Sequence, residues 1–340
     1  MSFSVKVEPS GRSFVVDDDE PVLTAALRQG MSLPYGCRDG HCGSCKARLL
    51  QGEVSYPTQF TEALSDEERM AGIALLCQAR ALSDLVLEAQ FVGSADEIVV
   101  KKLPCRVQSK KRLSHDVMEL TLKLPVTERL QFLAGQYISI LLPDGRRRSF
   151  SLANAPHDDQ LLVLHVRHVE GGDFTGFVFN ELQEKSILRI EGPLGSFFIH
   201  DDSQRPMIFM AGGTGFAPVK SLTEHCIAEK TSRPIHIYWG ARAKQDLYLD
   251  DLPRHWAQEH TNIHYTPVLS EPQEADHWQG RTGFVHQAIM MDFADLSAYD
   301  VYACGPPAMV EAGHTAFLHH GLDEAHFYSD AFVFQGPKKA

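Results

Sequence analysis

The spacing of four cysteines constrains this 340-residue chain more than any other feature of the sequence. The four are Cys37, Cys42, Cys45 and Cys77. Glycines accompany the first three at Gly36, Gly40 and Gly43. Glycine takes positive φ without steric cost, so we expect a loop whose backbone wraps closely around a small group. The rest of the fold must then bring Cys77 back to that loop.

The spacing C-x4-C-x2-C with a distant fourth cysteine is the one by which plant-type ferredoxins hold a [2Fe–2S] cluster through four thiolates. The alternatives are a structural zinc site and unrelated core cysteines. Zinc sites usually show two paired knuckles, whereas here three ligands come from one loop and the fourth from a segment that we expect to be helical. An odd total of seven cysteines also argues against a disulfide framework. The sequence therefore predicts an iron–sulfur cluster, with His41 as a surface residue beside it.

The composition is that of an ordinary globular protein, with 44% hydrophobic and 22% charged residues. Acidic residues outnumber Lys and Arg by 44 to 32, giving a net charge of −12, so no nucleic-acid partner is predicted. The acidic run at residues 17–20 stands where a secretory signal would have an apolar segment. Apolar stretches also fall short of the ~20 residues that cross a bilayer. We therefore expect a cytoplasmic protein without a membrane span.

The pattern of strands and turns changes twice along the chain and predicts a multidomain protein. Residues 1–93 combine a hairpin, two short helices and a return to strand, which indicates a small mixed α+β domain. Residues 94–103 are predicted to be a linker. Short strands and turns over residues 104–203 predict an antiparallel β-barrel, with a sandwich as the alternative. Strands and helices alternate over residues 204–340, which predicts a doubly wound parallel α/β sheet.

One predicted strand of the second domain carries Arg148, Phe150 and Ser151. An arginine can neutralise a pyrophosphate, an aromatic ring can stack on a flavin, and a hydroxyl can hydrogen-bond near the flavin N5 atom. Strand alternation puts Arg148 and Phe150 on one face and Ser151 on the other, so a bend is needed for all three to reach one ligand. The alternative is a solvated arginine turn beside a core phenylalanine.

Gly172 and Thr175 precede a helix that we expect over residues 176–182. With Thr175 as its N-cap, the free N–H groups of the first turn are predicted to bind a phosphate. The alternative is an ordinary capped helix without a ligand.

A glycine-rich turn separates an apolar strand at residues 207–211 from a helix expected at 217–229. Its residues are Gly212, Gly213, Thr214 and Gly215. Such glycines let the pyrophosphate of a dinucleotide approach the N-terminus of the helix. A tight turn without a ligand is the alternative.

A later strand ends in Cys304, Gly305 and Pro306 at the sheet edge where ligands bind. The Cys304 thiol is a candidate contact for a nicotinamide, and simple packing is the alternative. The C-terminal segment adds the carboxylate of Asp330 and the ring of Phe332, which offers aromatic cover for a flavin.

Taken in order, these motifs resemble those of the ferredoxin–NAD(P)H reductase superfamily in the arrangement with an N-terminal plant-type ferredoxin domain, over residues 3–334. The resemblance implies an α+β, β-grasp-like ferredoxin domain at residues 1–93, an FAD-binding domain at 104–203 and an NAD(P)-binding domain at 204–340. It assigns the flavin to Arg148, Phe150, Ser151 and Thr175, and the nicotinamide dinucleotide to the glycine-rich turn and the segment from Cys304 to Pro306. Two departures stand out, since Phe150 replaces the usual tyrosine and Asp330 replaces the glutamate of many relatives.

The resemblance implies an NAD(P)H-dependent oxidoreductase with a [2Fe–2S] cluster, FAD and NAD(P)H, with NADH favoured. NAD(P)H would give a hydride to the flavin, and electrons would pass singly to the cluster and then to a partner protein. That partner is expected to be a sugar dehydrase or an oxygenase component. Cys304, Ser151 and Asp330 would set the geometry of the nicotinamide and of flavin N5. The alternative is a redox sensor, which would not need both nucleotide motifs.

Overall fold

The computed structural model describes residues 2–29, 31, 33–35, 40–41, 43–57, 63–89, 98–200 and 203–333. The chain divides into two units, of which the first is Met1–Val99 with Leu194–Ser196 and the second is Val100–Pro193 with Phe197–Ala340. Within the described ranges, every helix is too short or too polar to span a bilayer.

The first unit contains a five-stranded mixed sheet in the order β2-β1-β7-β3-β5 and a small two-stranded sheet, β4-β6. Its elements are β1 Ser2–Glu8, β2 Arg12–Asp17, α1 Val22–Arg28, β3 Lys46–Gln51, β4 Val54–Ser55, α2 Asp66–Met70, β5 Ile73–Leu75, β6 Arg80–Ala81 and β7 Leu85–Glu88. The predicted hairpin is present as the antiparallel pair β1–β2. Helix α2 begins with a capping box, because the Ser65 hydroxyl accepts from the Glu68 N–H and the Glu68 carboxylate accepts from the Ser65 N–H.

The second unit begins with a six-stranded sheet in the order β11-β10-β13-β8-β9-β12. Its elements are β8 Lys101–Arg112, β9 Val117–Lys123, β10 Tyr137–Leu141, β11 Arg147–Ser151, β12 Leu162–Arg167, α3 Asp173–Asn180 and β13 Ile187–Leu194. A bridge between Leu152 and Leu164 joins the two edge strands, and the Ala153 N–H donates to Val163 O at 2.8 Å. The sheet therefore curls so that the outer strands meet, as the barrel prediction requires.

The unit continues with a six-stranded parallel sheet in the order β17-β16-β15-β14-β18-β19. Its elements are β14 Met207–Gly212, α4 Phe216–Ala228, β15 Ile235–Ala241, α5 Asp251–Glu259, β16 Ile263–Leu269, β17 Arg281–Thr282, α6 Val285–Asp292, β18 Asp300–Gly305, α7 Pro307–His319 and β19 Phe327–Ala331. The chain runs outward from β14 to β17 and returns on the other side of β14 as β18. This reversal opens a crevice at the carboxyl ends of β14 and β18, as predicted for a doubly wound fold.

Buried charges anchor the start of β19. Asp300, the first residue of β18, has no exposed surface; Arg233 Nη2 donates to its Oδ2 at 2.6 Å, and His326 Nδ1 lies 2.7 Å from its Oδ1. His326 directly precedes β19, so this network ties the C-terminal strand to the sheet.

We expect Asp300→Asn to lower the free energy of unfolding by about 3–5 kcal/mol, because it leaves the Arg233 guanidinium buried without its counter-charge. Urea denaturation followed by circular dichroism measures the change. Glu311→Gln, at an exposed position on α7, is the matched control and should stay within about 0.5 kcal/mol of the parent. Equal stability of the two variants would contradict the anchoring role of Asp300.

Candidate functional site

Two of the four predicted cluster ligands lie side by side in the first unit. Cys45 and Cys77 are 3% and 5% exposed, and the Cys77 N–H points at Cys45 Sγ over 3.4 Å. Cys37 and Cys42 lie outside the described residues. The predicted helical setting of Cys77 is wrong, because α2 ends at Met70 and Cys77 sits in a tight turn after β5. The Gln78 and Ala79 N–H groups close that turn on Leu75 O.

The backbone around these cysteines suits a cluster bound by thiolates. Gly40 and Gly43 have φ of +86° and +75°, conformations that favour glycine, and His41 is exposed. An amide aimed at a cysteine sulfur is the type of hydrogen bond that stabilises a reduced cluster. The described thiols and amides therefore fit a [2Fe–2S] group, with Cys45 and Cys77 as two of its holders.

The start of the candidate flavin strand β11 is fixed by ion pairs of Arg147, its first residue, and of Arg146, the residue before it. Arg146 pairs with Asp144 at 2.6 Å and with Asp173 at 2.8 Å, and Arg147 pairs with Glu191. The pair with Asp173 also connects the strand to the start of α3. Two of the three consecutive arginines are thus held by carboxylates, which argues against the solvated arginine turn.

Arg148 and Phe150 stand half-buried on β11, two residues apart. Arg148 Nη1 donates to Arg147 O at 2.8 Å. The Phe150 ring lies 5.6 Å from the ring of Phe174 on α3. The structure therefore brings the predicted flavin strand and the predicted phosphate-binding helix together, with an aromatic ring and a guanidinium on one face.

The predicted N-cap at Thr175 is wrong. Helix α3 begins at Asp173 with Gly172 as its N-cap, three residues earlier than expected. The Thr175 hydroxyl accepts from the Val169 N–H at 3.1 Å and lies 3.2 Å from Gly172 O, so it closes the preceding turn. The helix start remains a place for a phosphate, with backbone N–H groups that begin at Asp173.

The glycine-rich turn and the end of β18 are packed backbone against backbone. A Cβ on Gly215 would lie 2.2 Å from Cys304 O, and one on Gly305 would lie 2.8 Å from Gly212 O. Gly213 and Gly305 also have positive φ, +55° and +137°. Thr214 is half-buried within the turn, and Pro306 is exposed just after β18. Close approach of strand and turn therefore explains why these positions are glycine, before any ligand is considered.

Cys304, Ser151 and Asp330 converge at the carboxyl end of β18. Cys304 is the parallel strand partner of Asp330 on β19, and the Ser151 hydroxyl donates to Asp330 Oδ2 at 3.3 Å. The Cys304 thiol is fully buried and donates to Gly215 O at 2.9 Å. Burial, reinforced by the Asp330 charge, raises the pKa of Cys304 well above its usual value, so the thiol stays protonated. The next residue after β19 is Phe332, and its N–H donates a hydrogen bond to Gly305 O at 2.8 Å.

Sequence reasoning missed the polar contacts that join the two nucleotide motifs. On α4, Ser221 donates to Asn154 O at 2.7 Å and Lys220 Nζ donates to Ala153 O at 3.0 Å. Ala153 and Asn154 directly follow the predicted flavin strand in the sequence. The available signal was a serine beside Leu222 within the predicted helix 217–229, because the structure shows that Ser221 is fully buried and a buried hydroxyl needs a partner.

A buried histidine lies between the curled antiparallel sheet and the parallel sheet. His165 on β12 has no exposed side-chain surface, and its Nδ1 lies 3.0 Å from Tyr248 Oη. Its Nε2 makes no hydrogen bond, and the nearest carboxylate oxygen, on Glu119, is 4.0 Å away. Burial, with a smaller contribution from Lys220, lowers the pKa of His165 to about 3. The ring is therefore neutral in the fold.

His165 should make the protein less stable as the pH falls from 6.5 towards 3. The unfolded chain binds a proton at this residue below pH 6.5 whereas the folded chain does not, which costs about 1.4 kcal/mol per pH unit. The stability difference between the parent and His165→Asn should therefore shrink by about 2 kcal/mol from pH 7 to pH 5. Urea denaturation at both pH values measures it. Parallel pH curves would contradict the neutral, buried state of the ring.

Three family models match the chain in succession. A 2Fe-2S iron-sulfur cluster binding domain matches residues 5–82, an oxidoreductase FAD-binding domain matches residues 104–199, and an oxidoreductase NAD-binding domain matches residues 209–315. The matches cover both described cluster cysteines, β11 with α3, and the glycine-rich turn with Cys304.

Relatives and solved structures match nearly the whole length. The chain is 46% identical over 334 residues to a CDP-6-deoxy-L-threo-D-glycero-4-hexulose-3-dehydrase reductase of Yersinia pestis, covering 98% of this chain and 99% of that protein. It is 36% identical to the reductase component of phenol 2-monooxygenase from Pseudomonas sp. strain CF600, covering 98% of this chain and 95% of that protein. The crystal structure of the Amycolatopsis cytochrome P450 reductase GcoB superposes with a TM-score of 0.81 at 34% identity, covering 97% of this chain and 98% of that one.

Proposed function

The chain belongs to the ferredoxin–NAD(P)H reductase superfamily, in the branch that joins a [2Fe–2S] ferredoxin domain to FAD- and NAD-binding domains, and we propose that it supplies electrons to a CDP-6-deoxyhexulose 3-dehydrase. The proposed activity is that of a CDP-6-deoxy-3,4-glucoseen reductase. We propose the division into residues 1–93, 94–103, 104–203 and 204–340 for the ferredoxin domain, linker, FAD domain and NAD(P) domain. A reducing cytoplasm suits buried thiols that form no disulfide, such as those of Cys105 and Cys304.

When bound, FAD accepts a hydride from NAD(P)H and releases single electrons to the [2Fe–2S] cluster. The chain's own residues position the reactants. Ser151 and Asp330 share a hydrogen bond where the flavin N5 edge is proposed to lie, and Cys304 holds the glycine-rich turn through Gly215 O. Phe150 and Arg148 present a ring and a positive charge to the flavin and its pyrophosphate. All four cysteines of the loop and of the β5 turn are proposed cluster ligands.

The observation that carries the sugar-dehydrase proposal is the 46% identity over 98% of the chain to the Yersinia reductase, against 36% to the phenol 2-monooxygenase component over the same share. Two runs outside the cofactor motifs also resemble those of such a reductase, Tyr238–Gly240 and Asn262–Tyr265, as does the run Ser329–Phe332 at the site. An oxygenase component is the second candidate acceptor, because its reductases align over the same length. A redox sensor would not require Cys304, Ser151 and Asp330 to lie together at the carboxyl end of β18.

A reconstituted assay distinguishes the acceptors. The purified holoenzyme is combined with NADH and either the CDP-6-deoxyhexulose 3-dehydrase with its CDP-sugar or the oxygenase component of phenol hydroxylase with phenol. We expect NADH oxidation coupled to sugar turnover and no coupled turnover of phenol. Phenol turnover with no sugar turnover would overturn the proposal in favour of the oxygenase. Repeating the assay with NADPH tests the NADH preference. Arg242, directly after β15, is the candidate residue for contacting either the 2′-phosphate of NADPH or the corresponding adenosine hydroxyl of NADH.

A further inference from the structure

A hydrogen bond between His165 and Tyr248 joins the antiparallel sheet of the second unit to its parallel sheet. Leu164 and Val166 flank His165 on β12 and lie in the core of the antiparallel sheet, so strand alternation turns His165 to the opposite face. Its Nδ1 atom lies 3.0 Å from the hydroxyl of Tyr248, and the two rings meet edge to face with their centroids 5.3 Å apart. Tyr248 is buried in the apolar core beside the parallel sheet. One bond between side chains therefore connects the two nucleotide-binding parts of the fold.

The hydroxyl of Tyr248 donates in this bond, and both groups are neutral. Burial raises the pKa of Tyr248 well above its usual value, and burial also lowers the pKa of His165 to about 3. The other ring nitrogen, Nε2, lies 4.0 Å from a carboxylate oxygen of Glu119. That carboxylate favours the tautomer with the hydrogen on Nε2, which leaves Nδ1 as the acceptor. The bond therefore keeps the same form throughout the neutral pH range.

Tyr248 carries this constraint to the glycine-rich turn through Trp239. The Tyr248 ring packs edge-on against Trp239, with 5.1 Å between centroids and 84° between planes. Trp239 on β15 has no exposed surface; its Nε1 donates to Gly213 O at 2.9 Å, and its indole stacks on Phe216 at 4.0 Å. Gly213 lies in the turn and Phe216 begins α4. The position of the turn therefore depends on Trp239, which packs against the tyrosine that His165 orients.

The choice of histidine at position 165 is not explained by packing alone. A leucine would fill a core position without adding a polar atom, whereas His165 Nε2 is buried and makes no hydrogen bond. Buried polar atoms without a partner are rare in native proteins and need an explanation. A hydrogen bond is directional, while apolar packing is not. The pair of His165 and Tyr248 therefore suits the task of fixing one relative position of the two sheets.

We propose that the hydrogen bond between His165 and Tyr248 is a positioning contact for hydride transfer, which sets the glycine-rich turn and the nicotinamide against the sheet that binds the flavin. This inference rests on the NAD(P)H-dependent function proposed above. In this role neither residue needs to contact the coenzyme, because both act through Trp239 and the turn. Loss of the bond should therefore lower the rate of the hydride step more than the affinity for the coenzyme.

Tyr248→Phe should slow flavin reduction by NADH on the order of 10-fold, less than the ~10²-fold cost of a displacement of ~1 Å, because the ring stays and only the bond is lost. Stopped-flow absorbance of the holoenzyme without oxygen gives the limiting rate and the apparent Kd for NADH, and this Kd should stay near the parent value. The charge-transfer absorbance that NAD⁺ gives on stacking against the reduced flavin should also weaken. That band reports the overlap of the two rings and needs no turnover.

Variants of His165 test whether the same bond is responsible. His165→Leu removes the acceptor and should slow flavin reduction as much as Tyr248→Phe does. His165→Asn should recover most of the parent rate, because the amide oxygen of asparagine can take the place of Nδ1 as acceptor. The double variant His165→Leu with Tyr248→Phe should be no slower than either single variant, since all three lack the same bond.

Tyr265→Phe is the matched control, because the Tyr265 hydroxyl donates to Asp250 Oδ1 at 2.7 Å within the parallel-sheet part of the unit. Its flavin should be reduced at the parent rate. If Tyr248→Phe also keeps the parent rate, if the two substitutions are additive, or if they lower only the melting temperature, the pair is structural and the proposal is overturned. If NADH does not reduce the flavin of the parent, the proposed NAD(P)H-dependent function fails instead, so the two failures are distinguishable.

Discussion

Replacing Cys77 by serine should reduce NADH-driven cytochrome c reduction to the background rate while ferricyanide reduction survives. Cys77 is buried against Cys45 in the first unit, and an alkoxide is a poor substitute for a thiolate on iron. The cluster should therefore be lost. Ferricyanide can take electrons from the flavin, which is bound by the second unit. Since that unit has its own cores, its folding should not depend on this thiolate.

Iron content, the visible spectrum and the two acceptor assays measure the outcome together. Cys105→Ala is the matched control: Cys105 is also buried, at 2% exposure, but it lies on β8 in the second unit. Burial raises the pKa of its thiol to about 12, so it is inert. The control should keep its iron and both activities. Loss of ferricyanide reduction in Cys77→Ser with flavin still bound would contradict the order of electron transfer from flavin to cluster.

The four central strands of the parallel sheet were predictable from the sequence, whereas the edge strands β17 and β19 were not, and the reason is burial. All six residues of β14 are buried, and such strands read as continuous apolar runs that helices cover on both faces. Strand β19 was not predicted as a strand because Phe327–Ala331 is half-buried and includes Ser329 and Asp330. The Asp330 carboxylate accepts a hydrogen bond from Ser151 at the site, so its presence in the strand reflects that contact more than core packing.

Some features of the candidate site depend on tertiary contacts and could not be predicted from the sequence. Threonine is preferred over glycine as an N-cap, yet Gly172 caps α3 because the Thr175 hydroxyl bonds to Val169. Propensity cannot anticipate a hydrogen bond to a neighbouring turn. Arg167 likewise looks like any polar residue on an alternating strand. Only the tertiary structure shows that it meets Gly213, 46 positions later.

The hydride step should depend on Cys304 through position, not through acid–base chemistry. The thiol is fully buried, and its raised pKa keeps it protonated, so it offers no thiolate near neutral pH. Its hydrogen bond to Gly215 O holds the glycine-rich turn at the end of β18, beside Asp330. Removing the sulfur leaves the turn without that tether. The coenzyme's nicotinamide would then be placed less accurately against the flavin.

Cys304→Ala should therefore slow flavin reduction by NADH by on the order of 10²-fold, the cost of a displacement of about 1 Å in the reacting groups. Stopped-flow absorbance at saturating NADH without oxygen isolates this step from later transfer to the cluster. Cluster content and flavin content should match the parent. Cys226→Ala, at another buried cysteine on α4, controls for loss of a core thiol and should keep the parent rate. The ratio of the parent rate to the Cys304→Ala rate should also be independent of pH between 7 and 9, because the parent thiol does not ionise there. If the flavin of Cys304→Ala is reduced by NADH at the parent rate, the thiol contributes only to packing.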